Sequence, residues 1–386
     1  MSHAPQSPHP DDENAALLAL SLAGGACAPR RHLLQHHGSP AAALDAGPIA
    51  WRAAGLEPAQ IAALRQPDQD ALDTAQRWLA GPRRHLLGCH DPDYPALLLR
   101  IPNPPLALYV DGDPSVMWHP AVAIVGSRAP SAGGRDNAAC FALALATAGI
   151  AVTSGMAAGI DAAAHTAVLS HQGGLTLAVV GTGPDLAYPR QNAELRERIA
   201  AHGAVISEYP PGTPPRAGHF PARNRIIAGL SLATVVIEAA TRSGALITAR
   251  LSSEAGREVF ALPGSIHNPL ARGCHRLIRD GAGLVESAEE VLTGIAPLAA
   301  ELADALRGRL STPIQGKGNG SDHRATPDFP DPDYQRLWQA LGHDPICMDS
   351  LIIRSGLTAA AVSSMLLTME LDGYVAVERG RYTRKT

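Results

Sequence analysis

What most restricts the fold of this chain is a motif that recurs three times between residues 121 and 183: a short β-rich run that ends at once in a glycine-containing turn. Ala121-Val122-Ala123-Ile124-Val125 runs into Gly126-Ser127-Arg128, and a helical stretch begins near Gly134. Ile150 to Thr153 runs into Ser154-Gly155-Met156-Ala157-Ala158-Gly159-Ile160-Asp161, with a helix behind it, and Leu175 to Val180 runs into Gly181-Thr182-Gly183. A strand without polar alternation is covered on both faces, the condition of a parallel sheet between helices. Further strands are expected at Ala204 to Ser207, Thr234 to Ile237 and Glu258 to Ala261, separated by amphipathic stretches. The centre of the chain therefore reads as α/β, a Rossmann-like core with a mostly parallel sheet.

In such a sheet the turns after successive strands gather at the carboxyl edge, where ligands bind. Glycines let the backbone approach a phosphate, and the following helix N-termini offer free N–H groups. The residues thus point to an anion site; the plainer alternative is that these are only tight strand-to-helix turns. Gly126-Ser127-Arg128 and Gly181-Thr182-Gly183-Pro184 both fail the G-x-G-x-x-G spacing, and no Walker A sequence is present. An arginine directly after the first strand would also crowd a pyrophosphate. No cofactor is expected.

Guanidinium density on the loops suggests a different anion. Arg128 follows the first strand, Arg190 follows Tyr188-Pro189, and Arg216, Arg223, Arg225, Arg242, Arg250 and Arg257 face only Glu238 and Glu254 between residues 215 and 257. Tyr188 and Phe220 sit beside Arg190 and Arg223. Arginine forks grip phosphate bidentately and aromatic faces stack on unpaired bases. The competing reading is that several of these arginines make internal ion pairs or coat a dimer surface. A net charge of −4 limits any cationic surface to a local one.

Other chemistries have little support. The five cysteines, Cys27, Cys89, Cys140, Cys274 and Cys347, are odd in number and far apart, so neither a disulfide framework nor a metal site is expected. No apolar run approaches the ~18 residues of a membrane span, and Met1 to Asn14 is polar and acidic, unlike a signal peptide. A cytoplasmic protein is expected. Asp161 and His165, four residues apart on one helical face, read as an acid–base pair, half a metal site, or a hydrogen-bonded pair shaping the pocket; the last is favoured because no third ligand has a recognisable spacing. Ser127, Ser154 and Ser243 lie on glycine-flanked turns but in no G-x-S-x-G elbow, so they fit phosphate binding or helix capping better than nucleophilic attack.

At this point an ordered set of short motifs resembles a known family. It comprises His90-Asp91-Pro92-Asp93-Tyr94-Pro95, Pro104-Pro105-Leu106-Ala107-Leu108-Tyr109, the turns at 126–128 and 154–161 with His165, and Gly181-Thr182-Gly183 with Tyr188-Pro189-Arg190 and Asn192. Ser207-Glu208-Tyr209-Pro210, the run from Phe220-Pro221-Ala222-Arg223-Asn224-Arg225 to Leu230, Ser243 to Ala249, Pro263-Gly264 and Leu277 to Ala282 complete it. Over a little more than half its length the chain resembles the DprA family, also called Smf, the DNA-processing proteins of natural transformation. The resemblance implies an extended Rossmann-like domain that forms a homodimer, binds single-stranded DNA in a basic pocket and helps load the RecA recombinase; it implies no enzymatic activity. Carried onto this sequence, Arg128 and Arg190 would contact phosphate, with Arg190 standing where the family often has Lys. Phe220, Arg223, Asn224 and Arg225 would line the pocket, Arg225 equally as a structural residue. Gly126, Ser127, Ser154, Gly155, Gly181, Gly183, Tyr188, Asn192, Ser243, Gly244 and Thr248 would complete the DNA-binding set, with Asp161 and His165 shaping it.

Four regions are expected: a helical domain over 1–84, similar to the family's SAM-like module; the core over 85–295; a linker over 296–332 rich in Gly and Pro; and a winged-helix domain over 333–386. The tail reads as helices at Tyr334 to Leu341, Met348 to Arg354 and Thr358 to Leu371, then a hairpin from Tyr374 to Tyr382. Its third helix offers Thr358-Ala359-Ala360-Ala361-Val362-Ser363-Ser364, which lacks base-reading side chains beyond hydroxyls. Protein docking, or weak backbone contact through the wing, suits it better than sequence-specific reading. Gly24-Gly25 lacks a clear helix-hairpin-helix turn, and His32, His36 and His37 look like a solvated helix face. Two other functions remain open: a dimeric docking scaffold, and a nucleotide-processing enzyme resembling a nucleoside-monophosphate hydrolase. The enzyme would need a catalytic carboxylate, for which Glu238 is the good candidate, yet the Pro-Gly-Gly-x-Gly-Thr motif expected of that class is missing.

Overall fold

The apolar runs are the strands of a nine-stranded sheet. A computed structural model describes residues 10–311, 332–341, 346–358, 374–378 and 381–384, with 361–362, 365–366 and 369. The chain divides into two units, 1–312 and 313–386.

The first unit begins with helices α1 (Pro10–Leu22), α2 (Cys27–His37), α3 (Pro40–Asp45), α4 (Gly47–Ala53), α5 (Pro58–Arg65) and α6 (Gln69–Leu79). Leu20, Leu33, Leu34, Trp51, Leu56 and Ile61 form their shared core. Ser39 caps α3 and Asp68 caps α6, each side chain accepting a backbone N–H three residues on. His32 and His36 are exposed. The bundle is tied to the core by Arg31, whose Nη1 donates to Asn103 Oδ1 at 2.9 Å and to the Pro104 carbonyl.

The core carries strands β1 (Arg84–Gly88), β2 (Ala107–Gly112), β3 (Ala121–Val125), β4 (Ala151–Ser154), β5 (Thr176–Val179), β6 (Ala204–Ser207), β7 (Ala233–Val236), β8 (Glu258–Ala261) and β9 (Gly283–Leu284), in the order β1-β2-β6-β5-β4-β3-β7-β8-β9. From β6 to β9 every pairing is parallel, while β1 and β2, absent from the expected strands, add an antiparallel edge. Successive residues of β3 supply both faces: Val122 and Ile124 join one apolar cluster, Ala121, Ala123 and Val125 the other. Burying each Val or Ile contributes about 1.5–3 kcal/mol, which fixes the register, because a one-residue slip would exchange the faces.

Helices α8 (Ala132–Thr147), α9 (Ile160–Ser170), α10 (Ala193–His202) and α14 (Ala288–Ser311) cover one face. The other is covered by α11 (His219–Leu230), α12 (Ala245–Glu254) and α13 (Arg272–Arg279), with the short α7 (Ala96–Leu99) beside them. Two expectations are corrected here. Strand β4 extends through Ser154, so that residue belongs to the sheet rather than to the turn. Residues 296–311, expected in the linker, are the last two thirds of α14, because Ile295, Leu298, Ala299 and Leu302 continue its apolar stripe onto the core. Residues 312–331 lie outside the described residues.

The second unit has its own core of Leu337, Leu341, Leu351, Val362, Leu366, Met369 and Val375. It contains α15 (Pro332–Leu341), β10 (Ile346–Cys347), α16 (Met348–Ser355), β11 (Val375–Glu378) and β12 (Arg381–Arg384), the strands pairing antiparallel in the order β10-β12-β11. The expected third helix lies partly outside the described residues; those described within it are helical at Ala361, Val362, Met365, Leu366 and Met369. Arg384 stacks over the Trp338 ring at 4.4 Å, so one of the wing's cations is spent on internal packing.

Candidate functional site

Strand order reverses between β3 and β7: the chain winds from β3 through β4 and β5 to one side, and from β7 through β8 to the other. A doubly wound sheet opens its ligand crevice at such a switch point. A cleft of about 820 Å³ lies there, walled by the turn after β3, the start of α11, and the loop from Ala240 into α12. Gly126, Ser127, Arg128, Tyr188, Phe220, Arg223, Asn224, Ser243, Gly244, Thr248 and Asp161 of the expected set line it.

Its rim is cationic and aromatic. Arg128 is exposed and, among the described residues, makes no hydrogen bond or ion pair; its guanidinium lies 5.8 Å from the Phe220 ring centroid. Phe220 in turn packs on Tyr188 with centroids 5.1 Å apart and planes tilted 34°, and Tyr188 is 42% exposed. Arg190 opens a 3-10 turn (Arg190–Asn192) two residues beyond Tyr188 in the chain, is exposed, and is likewise without a described polar partner, but it is not among the residues that line the cleft. Below them His219 stacks on Tyr209 at 3.8 Å and its Nδ1 lies 3.1 Å from the Gly181 carbonyl oxygen, fixing the start of α11 over that turn. Such a rim can grip phosphate oxygens while offering flat apolar faces to bases.

The arginine-rich stretch separates into two populations. Arg216 and Arg242 are exposed and free of described polar partners, and Arg242 lines the cleft although it was not among the expected site residues. Arg223 turns inward: only 5% exposed, its Nη1 donates to the Gly155 carbonyl at 2.9 Å and to that of Val179. Arg225 pairs with Glu208 at 2.6 Å, Arg257 donates to the Leu97 carbonyl at 3.1 Å, and Arg250 pairs with Glu254 at 3.5 Å. Arg223 thus lines the cleft as expected while its guanidinium is engaged inside the fold, and Arg225 takes the structural one of its two expected readings, since a buried cation must be satisfied within the fold.

Arg223 has a specific counterpart. Asp161 accepts N–H bonds from Gly155 at 3.1 Å and Ala157 at 3.3 Å. A Cβ at Gly155 would lie 2.7 Å from Arg223 Nη2 and 2.8 Å from Asp161 Oδ2, so only glycine lets the two charges face each other there. Burial pushes the Asp161 carboxyl up, opposed by the Arg223 charge, and pushes the Arg223 guanidinium down to about 10, opposed by Asp161. His165 is not the hydrogen-bonded partner of Asp161 that the spacing suggested. Its Nδ1 lies 2.7 Å from Thr176 Oγ1, and burial, with a smaller contribution from Arg223, pushes its imidazole down to about 3.

Several of the expected site residues also have roles within the fold. Ser154 is fully buried with its hydroxyl donating to the Ile124 carbonyl at 2.6 Å, and Asn192 is buried with Nδ2 donating to the Met156 carbonyl at 2.9 Å. Gly181 packs beneath Phe220, and Gly183 donates its N–H to the Thr213 carbonyl at 2.9 Å. Ser127 and Ser243 accept from the backbone N–H two residues on, at 3.2 and 3.3 Å, as turn-forming hydroxyls do. Glu238 accepts hydrogen bonds from Ser131 and Asn268. Among the described residues no helix is long and apolar enough to cross a membrane.

A family model described as DNA recombination-mediator protein A matches residues 85–296, and one described as DprA winged helix domain matches residues 321–381. Protein Smf of Synechocystis sp. is 40% identical over 317 residues, spanning 76% of this chain and 79% of that protein. The X-ray structure of DNA processing protein A from Streptococcus pneumoniae is similar with a TM-score of 0.63 and 36% identity, over 72% of this chain and 97% of that one. A structure of DNA processing protein A from Helicobacter pylori, described for its single-stranded DNA binding mode, matches with a TM-score of 0.50 and 28% identity, over 57% of this chain and 97% of that one.

Proposed function

The chain belongs to the DNA recombination-mediator protein A family, also called DprA or Smf, and from that premise we propose that it binds single-stranded DNA along the rim built by Arg128, Arg190, Tyr188 and Phe220. The observation that carries this reading is the exposed, internally unengaged guanidinium of Arg128 beside a tilted aromatic pair, with the exposed Arg190 two residues along the chain from Tyr188. Duplex DNA presents no unstacked base to such a pair, so a single strand fits better. The single-strand description of the Helicobacter pylori neighbour supports the same choice.

On this reading the protein works in the cytoplasm as a homodimer during natural transformation. It protects incoming single strands and helps load RecA onto them, and it catalyses no reaction. The family's description as a recombination mediator supports the RecA role. The engagement of Glu238 with Ser131 and Asn268 supports a binder over a hydrolase, because it ties up the carboxylate that the hydrolase reading named. Retardation of a labelled oligothymidylate should be seen with the intact chain and be lost in the Arg128→Ala, Arg190→Ala double variant. Adding the chain to single strands coated with single-strand-binding protein should accelerate RecA filament growth; no acceleration would remove the mediator role while leaving the binding site standing.

A further inference from the structure

Beside the open cleft, the N-terminus of α8, where a doubly wound sheet ordinarily seats a nucleotide phosphate, is already occupied from within. Glu238 follows β7, is 8% exposed, and directs its carboxylate at the N-terminus of α8. Ser131, the residue that caps α8, donates its N–H to Oε2 at 2.9 Å and its hydroxyl to Oε1 at 2.6 Å, and Asn268 Nδ2 closes the far side on Oε1 at 3.1 Å. The Ser131 hydroxyl itself accepts the Gly134 N–H at 3.0 Å, so the hydroxyl that caps α8 is held by this carboxylate. Gly134 passes so close that any side chain there would collide with Glu238. Helix N-termini attract anions, and this one holds a protein carboxylate where a phosphate would otherwise lie.

The same residue holds the turn that carries Arg128. The Glu238 carbonyl accepts the Ser127 N–H at 2.7 Å, and the Ile160 N–H donates to the Ser127 carbonyl at 3.1 Å. Ser127 is thus fixed by backbone and Ser131 by the Glu238 side chain, leaving Arg128 between two anchors with its guanidinium outside.

We propose that Glu238 determines specificity at this edge: its carboxylate is a built-in anion that shuts free mononucleotide and dinucleotide phosphates out of the α8 N-terminus and positions the Gly126 to Ser131 turn so that Arg128 meets a phosphate backbone outside the crevice. This deepens the single-strand reading and rests on it for the second half only. Glutamine at this position keeps the shape and one acceptor while removing the charge, whereas alanine empties the seat.

The test has two arms. Calorimetric titration with inorganic pyrophosphate is made in an Arg128→Ala, Arg190→Ala background, so that the rim does not contribute. Adding Glu238→Ala should tighten pyrophosphate binding at least about tenfold, while Glu238→Gln should not, the seat remaining occupied. With the rim intact, Glu238→Ala should weaken oligothymidylate binding about tenfold and Glu238→Gln no more than about twofold. A folded Glu238→Ala protein that gains no pyrophosphate and keeps its oligonucleotide affinity overturns the proposal. Should that variant not fold, Ser131→Ala removes one anchor from an exposed position; about threefold weaker oligonucleotide binding is expected, and unchanged affinity overturns the positioning role. Failure of the parent chain to bind any single strand would instead overturn the functional reading, with the pyrophosphate arm still deciding the role of Glu238.

Discussion

Replacing Asp161 by Asn leaves the Arg223 guanidinium buried without its opposing charge, while the carbonyl bonds to Gly155 and Val179 persist. Breaking a contacting buried charge pair costs about 3–5 kcal/mol, and here the two charges face each other without an ion-pair contact, so the cost falls below that range. The urea midpoint of Asp161→Asn should drop below that of the parent, and an equal midpoint would mean that the opposing charge contributes nothing. His165 makes a pH prediction of definite sign. Its folded pKa is depressed from 6.5 to about 3 by burial and then by Arg223. Below about pH 6.5 the unfolded chain gains a proton that the folded chain refuses, so the contribution is complete above that pH and drains as pH falls toward 3, at up to about 1.4 kcal/mol per pH unit. Stability should decline between pH 7 and pH 5, and His165→Asn should lose that part of the slope; identical slopes in both proteins would contradict the assignment.

At the scale of elements, the stack of Tyr188 on Phe220 joins a loop after β5 to the first turn of α11. Base stacking is worth about 1–3 kcal/mol per base, so Phe220→Leu, which keeps an apolar group but no ring, should weaken single-strand binding about five- to a hundredfold, and Phe220→Trp should retain it. Titrations in which the leucine variant binds like the parent would remove stacking from the site. The strands around this site were legible because Ala121 to Val125 and its neighbours are apolar without alternation, the signature of burial on both faces. Which arginines face outward was not legible. Arg223 is satisfied by carbonyls 68 and 44 residues away in sequence, and Arg225 by Glu208, contacts that exist only once the sheet has formed. Arg242 belongs to the same arginine-dense stretch but could not be placed in the site for the same reason, since nothing local separates it from Arg250, which is ion-paired. The pairing of Asp161 with His165 failed because helical spacing places two side chains on one face without saying which neighbours each will meet.

For the whole molecule, a net charge of −4 coexists with a local cationic rim, and binding depends on the rim. The tail is poorly equipped to add affinity: its described wing strand uses Arg384 to cover Trp338, and its acids and bases balance. A chain ending at Thr312, which retains the first unit's own apolar clusters, should bind an oligothymidylate within about threefold of the full chain, each excluded charge being worth well under ~1 kcal/mol at physiological salt. A loss of a hundredfold would place a second DNA contact in residues 313–386. The extent of α14 was the least legible feature at this scale, because a Gly- and Pro-rich run begins at Gly308 while the apolar stripe before it continues the helix. The most direct test of the central claim is fluorescence anisotropy of one labelled sequence, as single strand and as duplex, titrated across a salt series with the parent chain and with Arg128→Ala, Arg190→Ala. If the rim holds a phosphate backbone, the parent prefers the single strand, and the double variant binds weakly with a salt slope shallower by about 1.4, two phosphate contacts at ~0.7 each. Unchanged affinity and slope in the double variant would contradict it.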